Sequence, residues 1–97
     1  MIKILEKAIE KYGDRQLDQA QEELAELIVA ISKYKRAAAN EAGKDKALVN
    51  VIEEIADVKI MIKQVMMILD ISETEVNNFE VDKINRLEKR VEKEERN

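Results

Sequence analysis

Proline is absent from this chain of 97 residues, and glycine occurs only twice, as Gly13 and Gly43. Sandwiches and barrels need a turn every few residues, built largely from Gly, Pro, Asn and Asp. A chain so poor in that chemistry is a poor candidate for an all-β fold. Its abundance of Ala, Glu, Lys, Ile and Leu favours helices. The length fits one domain spanning residues 1–97. The expected fold is therefore all-α, a four-helix bundle.

Several kinds of chemistry are excluded by missing residue types. Without cysteine there is no disulfide framework, no thiolate nucleophile and no cysteine–zinc site. Without histidine there is no Ser-His triad, no H-E-x-x-H zinc site and no Glu-x-x-His di-iron ligand set. The net charge of −4 argues against nucleic acid as a partner. No apolar run reaches the roughly 18 residues of a membrane span. The opening Met1-Ile-Lys-Ile-Leu-Glu is charged throughout, unlike a signal peptide. A cytoplasmic protein without a membrane partner is the expectation.

Periodicity places four helices. Ile2, Leu5, Ala8, Ile9 and Tyr12 share one face of a first helix, which Gly13 should cap. A second runs from Asp14 or Arg15 to about Asn40, with Leu17, Ala20, Leu24, Leu27, Ile28, Ile31 and Tyr34 as its apolar stripe. The segment from Asn40 to Asp45 reads as a turn pivoting on Gly43. A third helix follows from about Lys46 to Leu69. From Val58 onward it is apolar around nearly its whole circumference, which calls for burial on most sides. Three partner helices in so short a chain can hardly provide it, so a second copy of the chain is expected.

The fourth helix has the sharpest start. Ser72-Glu73-Thr74-Glu75 is a capping box, with Ile71 and Val76 at the positions of a hydrophobic staple. Val76, Phe79, Ile84, Leu87 and Val91 should point inward, and the charged tail from Glu88 should fray. Lys83, Arg86 and Arg90 lie on an adjoining face and could bind phosphate. Lys33, Lys35 and Arg36 can simply complement a helix dipole. Met61, Met66 and Met67 read as core.

The unusual feature is paired carboxylates. Glu23 and Glu26 sit one turn apart on the second helix, with Cβ atoms roughly 5–6 Å apart. Glu22 beside them can face water. On the third helix Glu53, Glu54 and Asp57 share a narrow polar stripe with Asn50 and Gln64. No Lys or Arg follows Glu23, Glu53 or Glu54 at the i+4 position to neutralise it. Carboxylates facing inward repel one another and take up a proton or a cation. Two such pairs face to face would form an all-oxygen cage suited to Mg²⁺ or Mn²⁺.

Glu22-Glu23-x-x-Glu26 followed by Glu54-x-x-Asp57 within Glu-Glu-Ile-Ala-Asp-Val resembles the signature of the all-α nucleoside triphosphate pyrophosphohydrolases. These include MazG proteins, dimeric dUTPases and dCTP pyrophosphatases, and the likeness is greatest to short MazG-like proteins. Tyr12-Gly13, Gln16 and Lys83-Ile84-Asn85-Arg86-Leu87 fit that group, so the resemblance spans about residues 8 to 90. It implies Mg²⁺-dependent cleavage between the α and β phosphates of a nucleoside triphosphate, giving a monophosphate and pyrophosphate. Glu23, Glu26, Glu54 and Asp57 would be the metal ligands, with Glu22 supporting them or orienting water. Lys83 and Arg86 would contact substrate phosphate. The resemblance also implies a homodimer or a dimer of dimers. With no Trp, a tight base-stacking pocket is not expected. The competing reading is a non-catalytic oligomerisation or adaptor bundle with solvated acids.

Overall fold

The computed structural model describes residues 2–37 and 41–96, and no strand occurs among them. Helix α1 spans Ile2–Tyr12, as the periodicity predicts. It closes on Gly13, whose φ of 60° is the left-handed conformation of a helix C-cap. The Gly13 N–H donates to the carbonyl of Ile9 at 2.7 Å. A Cβ on Gly13 would meet no atom within 4 Å, so backbone conformation and not space calls for glycine.

Helix α2 spans Arg15–Arg36, and Lys33, Lys35 and Arg36 fill its last turn, where they offset the dipole. Its expected continuation to Asn40 falls partly on residues 38–40, outside the described ones. Helix α3 spans Glu41–Ile68, starting about five residues before the expected position. Gly43 is therefore helical and not the pivot of a turn. One glycine among Ala and Lys costs a helix about 1 kcal/mol, too little to stop it.

Helix α3 ends in a Schellman motif. The Ile71 N–H donates to the Met66 carbonyl at 2.9 Å, and the Asp70 N–H to the Met67 carbonyl at 3.4 Å. Asp70 takes the left-handed position, with φ of 54°. Helix α4 then spans Glu73–Arg96, so the charged tail is helical through Arg96. Its capping box forms as the sequence predicts. Glu75 N–H donates to Ser72 Oγ at 3.1 Å, and Ser72 N–H donates to Glu75 Oε1 at 3.1 Å.

The body of the fold is an antiparallel pair of α2 and α3, with α1 touching both. Ala20 and Ala30 of α2, and Val58 and Met61 of α3, are its buried apolar side chains. The small alanines let the helices approach closely. Gln64 is buried too, with 3% of its surface exposed, and it is satisfied within the seam. Gln16 Nε2 donates to Gln64 Oε1 at 2.8 Å, and Gln64 Nε2 donates to Met61 Sδ at 3.5 Å. This pairing fixes the register of α2 against α3.

Two expectations about packing fail within a single chain. Helix α4 packs against no other helix, so Val76, Phe79, Ile84, Leu87 and Val91 face outward. Only part of the α2 stripe is covered: Leu24, Ile28 and Ile31 are exposed. Helix α3 is covered on one face, leaving Ile52, Ile55, Ile60 and Ile62 exposed. The reason is common to all: one chain has a single helix pair with which to bury apolar stripes on several faces. Among the described residues, no helix is long and apolar enough to cross a membrane.

Candidate metal centre

The antiparallel register that pairs Gln16 with Gln64 also sets Glu23 opposite Glu54 and Asp57. One carboxylate oxygen from each of these three residues lies within 4.8 Å of the other two. Glu23 and Glu54 are half-buried at the seam, and Asp57 is exposed at its edge. The cluster is held from one side: Gln19 Nε2 donates to Glu23 Oε1 at 3.1 Å. Glu23 Oε2 and Glu54 Oε2 are shielded from solvent and have no hydrogen-bond partner.

Such orphaned carboxylate oxygens are costly. Burial pushes the Glu23 carboxyl above its ordinary value of 4.5, and the charges of Glu26 and Asp57 push it further, against the Gln19 hydrogen bond. Burial likewise raises Glu54, reinforced by the charges of Glu26, Glu23 and Asp57. Each carboxylate thus favours whatever positive species relieves its neighbours.

The residues the resemblance singled out divide into three groups. Glu23, Glu54 and Asp57 are brought together. Glu26 is exposed beside them, with its charge acting on both Glu23 and Glu54. Glu22 is exposed about 100° around the helix from Glu23 and stands apart from the cluster. Lys83 and Arg86 lie on α4, which touches neither acid-bearing helix, so one chain does not bring them to the site. Gln19 was not singled out in the sequence. Its signal was there, because it precedes Glu23 by four residues, the spacing at which helical side chains meet.

The donor set suits a hard divalent cation. It is all oxygen, it carries two unpartnered lone-pair sites, and Asp57 leaves one side open to solvent. Glu23, Glu54 and Asp57, with Glu26 at the rim, are the residues that would hold Mg²⁺ or Mn²⁺.

Fold and site together define a class: an all-α chain whose central helix pair carries a three-carboxylate cluster. Beyond that class, no protein-family model, no curated protein and no solved structure matches the chain.

Proposed function

We propose that this chain is a Mg²⁺-dependent, MazG-like nucleoside triphosphate pyrophosphohydrolase that works as a homo-oligomer. The observation that carries the reading is the cluster of Glu23, Glu54 and Asp57 with its two unpartnered oxygens. Three carboxylates held together against their own repulsion are what a phosphate-directed metal site needs.

In the reaction, the oxygen of a water bonds to phosphorus and the anhydride bridge between the α and β phosphates breaks. A nucleoside monophosphate and pyrophosphate leave, and the water's proton passes to a carboxylate. Mg²⁺, when bound, supplies charge neutralisation for the phosphates and acidifies a water. The chain's own residues do the rest. Gln19 orients Glu23 through its hydrogen bond. Held in this way, Glu23 would take the water's proton. Glu22, to which the resemblance gives a supporting part, lies on the outer face of α2 away from the cluster and would take none within one chain. Lys83 and Arg86 would reach substrate phosphate only from a neighbouring copy, because their helix is unpartnered in its own chain.

The test combines stability with turnover. Millimolar Mg²⁺ should raise the melting temperature by linkage, by about 2.7 kcal/mol of stability at a hundredfold excess over Kd. Glu54→Gln and Asp57→Asn should lose that gain and release no pyrophosphate from any nucleoside triphosphate, while folding as well as the parent. Parental turnover in either variant would show the metal assignment to be wrong. The adaptor reading draws on the bare apolar face of α4. It predicts no response to Mg²⁺ and no pyrophosphate.

A further inference from the structure

Helix α4 is exposed along its whole described length and packs against no other helix. Two recesses lie along one side of it. One, of about 480 Å³, is lined by Val76, Phe79, Glu80, Lys83, Ile84 and Leu87, all from α4 itself. The other, of about 620 Å³, sits at the root of the helix, where α1 and α3 meet it. Its floor includes Leu5, Met66 and Met67, and its rim carries Glu6, Asp70 and Glu73 against the single cation Lys63. At about 100° per residue, Glu73 falls in the same sector of α4 as the six residues of the first recess. The two recesses therefore form one track along one face.

The charges on this track fall in an order. From Glu73 to Asp82, α4 carries four acids and no cation; from Lys83 to Arg96 it carries six cations and four acids. Within the track Glu73, Glu80 and Leu87 recur at heptad spacing, and so do Val76, Lys83 and Arg90, as in helices that pair. A parallel mate would set each of these residues beside its own copy: Glu73 on Glu73, Glu80 on Glu80, Lys83 on Lys83 and Arg90 on Arg90. An antiparallel mate, related by a two-fold axis at the level of Val81 and Asp82, sets Glu73 beside Arg90, Val76 beside Leu87 and Glu80 beside Lys83. Each of those contacts then occurs twice. Every charged pair is repulsive in the first arrangement and attractive in the second. The antiparallel register also carries Val91 and Lys93 of the second copy to the root recess. There an apolar side chain meets an apolar floor, and an ammonium group meets an acidic rim.

We propose that the α4 helices of two copies pair antiparallel across a two-fold axis, each running into the acid-rimmed recess at the root of the other. This rests on the homo-oligomer part of the reading above and not on its chemistry, and it names the surface that joins the copies. In the pair Lys83 answers Glu80 of the second copy, which leaves Arg86 as the α4 cation for phosphate.

Single cysteines report the pairing, because the chain has none of its own. Val76→Cys and Leu87→Cys are purified separately, then incubated with oxidised glutathione alone and as a mixture. The mixture should give a covalent dimer and neither variant alone should. Each variant cross-linking with itself would mean parallel helices and overturn the proposal, and so would a mixture that yields no covalent dimer. Charge reversal is the second measurement. Glu80→Lys and Lys83→Glu should each weaken self-association at least about tenfold by light scattering, since each sets like charges together twice. Both changes in one chain should restore the parental association, and single variants that associate like the parent overturn the proposal. A parent that cross-links as expected yet releases no pyrophosphate loses the hydrolase reading and keeps this pairing. An active enzyme whose cysteine variants link only with themselves keeps that reading and loses this one.

Discussion

Burial and mutual repulsion hold the Glu23 and Glu54 carboxyls above their ordinary value of 4.5. Between 4.5 and the raised values the native chain therefore binds more protons than the unfolded chain. Stability falls as pH rises through that window, and is regained as pH falls back. Glu75 works in a separate range. Its hydrogen bonds from Ser72 hold it below 4.5, so its contribution is lost only under more acidic conditions. The chain has no histidine, so no ordinary side chain titrates between about pH 5.5 and 7.5. In metal-free buffer the melting temperature should accordingly be higher at a pH just above 4.5 than at pH 7.5. Millimolar Mg²⁺ should abolish or reverse that order, since the cation and the proton compete for the same oxygens. Scanning fluorimetry at the two pH values, with chelator or with Mg²⁺, measures this directly; a flat metal-free profile would mean that Glu23 and Glu54 are no more strained than surface acids. The pairing of Glu23 with Glu26 and of Glu54 with Asp57 was legible in the sequence because carboxylates three residues apart share a helix face. Which acids would be shielded was not, since that depends on how α2 is rotated against α3.

Caps account for most of what could be read about the helices, and one cap accounts for what could not. The box at Ser72–Glu75 and the glycine at the end of α1 announce themselves by residue type, and both form. The end of α3 carries no such mark. Its left-handed position is filled by Asp70, a residue that tolerates the conformation less well than glycine. Gly43 misled in the opposite direction: glycine marks a turn only when the backbone needs it, and neighbouring helix formers carried α3 through it. The two sites can be compared by mutation. Asp70→Gly keeps the Schellman hydrogen bonds, which involve only backbone atoms, and removes the Cβ conflict at a φ of 54°. It should stabilise the fold by about 0.5–1 kcal/mol. Gly13→Ala, forced to a φ of 60°, should destabilise by a similar amount despite the open space around it. Urea denaturation of the two variants reads both signs, and stabilisation by Gly13→Ala would show that the left-handed cap is not maintained in solution.

The chain as a whole is too open for its size. A folded monomer of 11.2 kDa would expose about 5,700 Å². This one exposes 8102 Å², an excess of roughly 2,400 Å². Its radius of gyration is 17.4 Å, against about 12.5 Å for a compact chain of this length. The excess surface is apolar where it is most continuous, along α4 and the outer faces of α2 and α3. Were it covered by a second copy, as proposed, an area of that order per protomer would fall in the range of obligate association. The apolar circumference of the third helix pointed to a second chain; the equally bare fourth helix did not stand out, because its stripe is as narrow as that of any surface helix. Phe79 separates the two states of the molecule. Its ring is 66% exposed in the single chain, so Phe79→Ser in a monomer should change stability by no more than about 0.5 kcal/mol. In an oligomer that seats α4 against a second copy, the same change removes a buried aromatic and should cost about 1.5–3 kcal/mol for each ring lost. Light scattering on the parent at micromolar concentration should give a multiple of 11.2 kDa. Phe79→Ser should lower both the mass and the melting temperature, and the melting temperature of the parent should rise with protein concentration. A parent that scatters as a folded monomer, with Phe79→Ser indistinguishable from it, would leave the bare helices without a partner copy and remove the route by which Lys83 and Arg86 reach the acids.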